Sequence, residues 1–261
     1  MAFVPPPISS SLPPQPNPVT PSGDRPLESP SPTAQEIQAL FNRIAPVYDR
    51  LNQQLSWGLH GIWKHMAIKW VNPQPGDTCL DVCCGSGDLA LLLGEAVGAA
   101  GQVHGVDFAA EQLAIAAQRA QAHHPPLAIT WHLGDALHLP FEDDRFDGAT
   151  LAYGLRNVVD IPRCLGELRR VLRPGAKVAI LDLHRPGNSL LRQFQSWYLA
   201  QQVVPIAQDL GLREEYAYLA PSLDRFPTGR EQVALAQAAG LRSAKHYPIA
   251  GGMMGVLVAQ K

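Results

Sequence analysis

Residues 78–90 read TCLDVCCGSGDLA. A short apolar, partly β-branched run ends at Gly85 and Gly87, and a helical pattern begins at Leu89. The stretch therefore predicts a strand delivered into a helix through a tight glycine turn. Without Cβ atoms, Gly85 and Gly87 allow positive φ and leave bare amides facing whatever sits above the sheet, which makes the turn a candidate nucleotide site. The pattern downstream repeats the unit: helix 89–97, strand 103–107, helix 110–121, strands 129–133 and 146–152, helix 161–171, strand 177–183. Such alternation implies βαβ units and a parallel sheet covered on both faces, with the glycine turn at its switch point. An RPG turn at 173–175 is expected to separate the helix before it from the strand starting at 177. Two further strand-like pieces, 244–249 and 256–259, flank GGMMG and read as a hairpin at the sheet edge. The expected fold is α/β: a doubly wound, mostly parallel seven-stranded sheet with helices on both faces.

The turn also satisfies the dinucleotide fingerprint GxGxxA through Gly85, Gly87 and Ala90, a weak signature by itself. Three acids break the tie. Asp81 lies inside the strand, where a buried carboxylate is costly unless a cation or donors meet it. It would repel a pyrophosphate and accept the ammonium of a methionine moiety. Asp107 ends the second strand, where a ribose diol is gripped. Asp135, in the GDA of 134–136, stands after the third strand within reach of an adenine amine. Three acids at successive strand ends describe S-adenosylmethionine better than NAD, which stays as the alternative, beside a purely structural role for the acids.

Residues 1–32 are crowded with Pro and Ser and show no hydrophobic period, the pattern of a disordered tail; Arg25 is their first basic residue, against an Arg-rich transit peptide. Residues 33–261 form the expected domain, with a helical cap over 33–72 and an insert over 184–227. The cap opens on TAQE, a capping box between Thr33 and Glu36. Ile37, Leu40, Phe41 and Ile44 then form one helical face that is expected to stop before Pro46. His60 and His65 are off the i, i+4 spacing of a helical metal pair, so no metal is expected. The insert carries the stripe Leu190, Leu191, Phe194, Trp197 and Tyr198, with Tyr216, Tyr218 and Phe226 beyond it. It reads either as core or as an apolar lid through which a lipid tail reaches a bilayer. A net charge of −2 leaves no basic footprint for nucleic acid. Cys79, Cys83, Cys84 and Cys164 make no disulfide framework and suggest a reducing interior. With no apolar run of membrane-spanning length and no secretory signal, the chain is expected to be cytoplasmic, neither spanning a membrane nor exported by that route.

Seven segments, FNRIAPVYDRLN, LDVCCGSGDLA, GVDFAAEQL, GDALHLPF, YGLRNV, RVLRPG and YLAPSLDRFP, together resemble, in order, the quinone-ring C-methyltransferases of menaquinone and ubiquinone biosynthesis. The closing HYPIAGGMMGVLVAQK is most similar to the cyanobacterial and chloroplast branch. The resemblance implies a class I, Rossmann-like methyltransferase that uses S-adenosylmethionine and no metal. It also implies that the enzyme acts on a prenylated naphthoquinol, converting demethylphylloquinol to phylloquinol; demethylmenaquinol or a benzoquinol is the alternative acceptor, and a catalytically silent binding module the alternative class. It places the donor against Ser86, Asp107, Asp135, Ala136 and the backbone near Ala152, with Gly85 and Gly87 shaping the loop, and the acceptor ring against Tyr48, Arg156 and Asn157. The chain has Ser86 where the family has Thr, Ala176 for the second glycine of a PGG turn, and Asp182 for an acid in LEFSRP. A phytyl-bearing substrate further implies transient contact with a thylakoid or plasma membrane, and a homodimer is among the assemblies left open.

Chemistry adds that an oxidised quinone carbon is electrophilic and cannot attack a methyl group, so the acceptor must be the quinol. Arg156 is too basic to remove a phenolic proton, but its charge would lower the phenol pKa. His184, just past the fifth strand, is the second candidate, weighed against a solvated strand-end histidine.

Overall fold

The computed structural model describes residues 33–55, 59–203, 205 and 219–261. The tail 1–32, Tyr216, Tyr218 and the side chain of Tyr48 lie outside the described residues.

The chain runs α1 (Ala34–Leu55), α2 (Leu59–Val71), β1 (Thr78–Val82), α3 (Asp88–Val97), β2 (Gln102–Asp107), α4 (Ala110–Ala122), β3 (Ile129–Leu133) and β4 (Phe146–Ala152). It continues through α5 (Ile161–Val171), β5 (Leu172–Leu183), α6 (Ser189–Tyr198), α7 (Leu219–Arg225), α8 (Gly229–Ala238), β6 (Arg242–Ile249) and β7 (Met254–Gln260). The seven strands form one sheet in the order β3-β2-β1-β4-β5-β7-β6. The first five are parallel, and β7 runs antiparallel between β5 and β6. Order reverses between β1 and β4, which puts the β1–α3 turn at the switch point where open α/β sheets bind ligands.

Helices on both faces explain why the central strands are apolar nearly throughout. Leu80, Leu151, Ile180 and Leu181 are essentially inaccessible, each stabilising the sheet by roughly 1.5–3 kcal/mol. Edge strand β3 is open, with Leu133 exposed. Gly87 enters α3 at φ +90, and a Cβ there would stand 2.8 Å from the Trp131 ring on β3, so the turn has no room for a side chain.

Two local expectations are overturned, and one open alternative is narrowed. The capping box forms, with the Thr33 amide donating to Glu36 Oε2 at 2.7 Å, but α1 continues through Pro46 to Leu55. Proline removes one hydrogen bond and crowds the preceding turn, which bends helices as well as ending them. The RPG segment is not a turn before the strand. β5 already begins at Leu172, and residues between the pairs Phe146↔Leu172 and Gly148↔Lys177 bulge out of the ladder. The bulge closes on the chain end, where Gly175 N donates to Lys261 O and Lys261 N to Ala176 O. Finally, the α6 stripe is not core: Leu190, Phe194 and Trp197 are 72%, 49% and 54% exposed, while Gln195 turns inward and donates to the His184 carbonyl.

Candidate active site

A pocket opens at the carboxyl ends of β1, β2 and β4, walled by Phe41 of α1 and Lys64 of α2. Its lining includes Asp81, Gly85, Ser86, Asp107, Asp135, Ala136, Ala152 and Asn157. Gly87 stands behind the loop as the N-cap of α3.

The acids are held differently. Asp81 is 1% exposed; Thr150 Oγ1 donates to its Oδ1 at 2.7 Å, and Oδ2 has no hydrogen-bond partner. Burial pushes this carboxyl up to about 7, with Thr150, the charge of Lys64 and the Ala90 amide offsetting only part. Asp107 clamps the loop, its Oδ2 accepting from Gly85 N at 2.8 Å and its Oδ1 from Ala109 N at 2.9 Å; burial still raises its pKa. Each oxygen keeps a lone pair for a further donor. Asp135 is exposed at the rim and accepts from Leu137 N at 2.9 Å, an Asx turn that aims the loop. Ser86 is buried, and Arg119 Nη1 donates to its hydroxyl at 3.0 Å.

Two pocket residues pass through left-handed backbone without being glycine: Cys83 at φ +53 after β1 and Tyr153 at φ +59 after β4. Such conformations cost about 1–3 kcal/mol each and persist where the surroundings dictate them. Burial raises the Cys83 and Cys84 thiols well above their ordinary range, so neither is a thiolate at neutral pH.

Two expected catalytic side chains lie elsewhere. Arg156 is not in the pocket lining. Its amide donates to Asp182 Oδ2 at 3.0 Å, its Nη1 bonds Asp182 Oδ1, and its Nε donates to Ser222 Oγ at 3.0 Å. A guanidinium 8% exposed needs a carboxylate beside it, and Asp182 supplies one. His184 is neither solvated nor in the pocket. It is buried beside His246, with the two Nε2 atoms 3.2 Å apart, and burial, His246 and Arg156 push it down to about 3, which takes it out of the useful range. Asn157 does line the pocket, its Nδ2 donating to Tyr153 O at 3.2 Å.

The pocket also contains residues the sequence reading did not single out. Gln112 is 1% exposed, and neither amide atom has a hydrogen-bond partner. Its signal is visible in the sequence: it shares a buried α4 face with Ala116 and Ala120, where a glutamine is costly unless something supplies its bonds. Lys64, Tyr153 and the pair Phe41–Phe108, with ring centroids 6.2 Å apart, were also missed, as α1 and α2 reach the site only through the fold.

The profile of the ubiE/COQ5 methyltransferase family matches residues 31–261. The chain belongs to that family. Over 226 residues, 87% of this chain and 99% of the relative, it is 64% identical to a 2-phytyl-1,4-naphtoquinone methyltransferase of Trichormus variabilis. It is 49% identical to the chloroplastic 2-phytyl-1,4-beta-naphthoquinone methyltransferase of Arabidopsis thaliana, covering 94% of this chain and 97% of that one. In fold it is similar to a SAM dependent methyltransferase from Aquifex aeolicus, with a TM-score of 0.55 at 19% identity, covering 75% of this chain and 88% of that chain. The methyl donor of this methyltransferase is S-adenosylmethionine, and the pocket fits it. The buried Oδ2 of Asp81 and the amide of Gln112 lack partners that a polar ligand would supply, and Phe41 and Phe108 offer apolar faces to a purine. No cluster able to hold a metal occurs among the described residues.

Proposed function

We propose that this methyltransferase methylates the ring of a 2-phytyl-1,4-naphthoquinone in its reduced, quinol form, yielding phylloquinol. The observation that carries the reading is the 64% identity to the Trichormus variabilis enzyme across 99% of that relative's length. When bound, S-adenosylmethionine supplies the methyl group as an electrophile on a sulfonium. Asp81, Asp107 and Gln112 would hold it so that this methyl is offered to the ring carbon of the quinol, and the displaced ring proton would leave to solvent. The protein's part is to position the ring and exclude water, which Phe108, Leu137, Val158 and Val159 on the pocket wall support. Asn157, anchored on the Tyr153 carbonyl, orients a ring hydroxyl. Arg156 acts as a positioning residue: bonded to Asp182 and Ser222, it fixes the loop that carries Asn157. Tyr48 is retained as a ring contact on the resemblance alone.

The enzyme works as a cytoplasmic protein attached peripherally to the membrane that holds its substrate. The exposed apolar face of α6 supports this, and no described helix is long and apolar enough to cross a bilayer.

Mass spectrometry of quinones from cells lacking the protein tests the reading, with demethylphylloquinone expected to accumulate; an unchanged quinone profile overturns it. In vitro turnover should require dithionite or borohydride. Equal rates on fully oxidised quinone in air would sink the quinol mechanism. Phe194→Gln with Trp197→Gln should reduce co-sedimentation with anionic vesicles, and undiminished binding removes α6 from the membrane contact.

A further inference from the structure

A glutamine side chain carries two N–H donors and an acceptor oxygen, and burying them is costly unless something meets them. Gln112, the third residue of α4, is 1% exposed and lines the pocket. Among the described residues neither its Oε1 nor its Nε2 has a hydrogen-bond partner. The rest of the buried α4 face, Leu113, Ala116 and Ala120, is apolar, so packing alone would favour a leucine or methionine at this position.

The surroundings of the amide select the part of the ligand it meets. A Cβ added to Gly85 would stand 3.8 Å from Gln112 Oε1, which puts the amide against the bare face of that glycine. The backbone N–H of the same glycine donates to Asp107 Oδ2 at 2.8 Å, and Asp107 Oδ1 accepts from Ala109 N at the entry to α4. Asp107 from the end of β2 and Gln112 from the first turn of α4 thus converge on Gly85. Their chemistries are complementary. A carboxylate only accepts, so it can take the protons of a diol but leaves the hydroxyl oxygens without a donor, which a glutamine amide supplies. Asp135, the acid expected at the purine, stands apart on the rim after β3.

We propose that Gln112 completes the ribose site of the methyl donor, its amide donating to the diol whose protons Asp107 accepts. The inference rests on the methyl donor and not on the identity of the quinone, so it stands or falls separately from the acceptor reading. It accounts for an orphaned polar group on an otherwise apolar helix face, and it makes Gln112 a residue that selects ribosyl over deoxyribosyl ligands.

Calorimetric titration of the wild type and Gln112→Leu with three ligands tests it: S-adenosylhomocysteine, its 2′-deoxy analogue and its 3′-deoxy analogue. The wild type is read first, and no binding of S-adenosylhomocysteine removes the donor site and the proposal with it. Gln112→Leu should weaken S-adenosylhomocysteine about fivefold, the range of one uncharged hydrogen bond. It should weaken at least one deoxy analogue by less than about twofold, because the hydroxyl that Gln112 meets is then missing. Equal losses for all three ligands would put the amide on the purine or the amino-acid end, and no loss for any would leave it outside the site; both overturn the proposal. Should the leucine variant fail to fold, Gln112→Met, which keeps the unbranched shape of the side chain, is titrated in its place against the same outcomes.

Discussion

Two buried polar clusters sit at the carboxyl end of the same sheet, and they differ in one respect. Around β1 and β2, polar atoms are left without partners: Asp81 Oδ2 and both amide atoms of Gln112. Past β5, no fully buried side-chain polar atom of the described residues is left without a partner: Arg156 bonds Asp182 and Ser222, and His184 meets His246 and Gln232. A buried group without a partner costs about 1–3 kcal/mol, which is tolerable only where a ligand removes the cost. The open cluster is therefore where a bound polar ligand would remove a cost, and the closed one is scaffold beneath the loop that carries Asn157. Charge and burial alone would rank them the same; satisfaction separates them.

The largest effect that could break this contrast is Asp182→Ala. It strands a buried guanidinium and should destabilise the protein by about 3–5 kcal/mol in urea unfolding, with donor affinity little changed in the folded fraction. Near-native stability would mean that Arg156 is not committed to the scaffold. On the open side, Asp107→Ala removes the acceptor of the Gly85 and Ala109 amides. It should weaken S-adenosylmethionine by about 1.5–3 kcal/mol in calorimetry, and an unaltered dissociation constant takes Asp107 out of the site.

The scaffold also has a pH signature. His184 is held at about 3, below the ordinary value near 6.5 it regains on unfolding. The unfolded chain binds the proton first, so the histidine's contribution is whole above about pH 6.5 and is lost as pH falls toward 3. Between pH 6.5 and 5 this amounts to about 2 kcal/mol. Asp81, pushed up to about 7, has the opposite sign over that window. The difference between wild type and His184→Asn isolates the histidine, and parallel pH profiles would show that it does not titrate as its burial requires. The smallest effect sharpens the contrast most. Gln112→Leu should leave the ligand-free protein as stable or up to about 1 kcal/mol more so, while weakening the donor by a similar amount; a loss of stability in the ligand-free state would show that Gln112 is already satisfied.

How much was legible follows from distance along the chain. β1, β3 and β4 fall where alternation and turn residues put them, as do Asp81, Asp107 and Asp135 at strand ends, since each is fixed by its own few neighbours. Arg156 was misread because its carboxylate is 26 positions away and its hydroxyl 66. His184 was misread because His246, 62 positions on, buries it. In α6 the helical period identified an apolar face correctly, but a period cannot tell whether anything packs on it. Lys64 gave no signal, for one lysine in a helix is ordinary until the fold turns it inward.

The position of β7 has a consequence for how the protein is made. It lies between β5 and β6 yet leaves the ribosome after both. A growing chain can zip β3, β2, β1, β4 and β5 together as each parallel neighbour emerges, but β6 has no strand to pair with until the last one arrives. The β1–β4 half of the sheet can thus assemble early, while the edge of β5, with Ile180 and Leu181, stays open until β7 emerges. Biogenesis, unlike catalysis, is most exposed at that seam. Mutations that slow β7 insertion, such as Val256→Asp, should show themselves first as aggregation during expression.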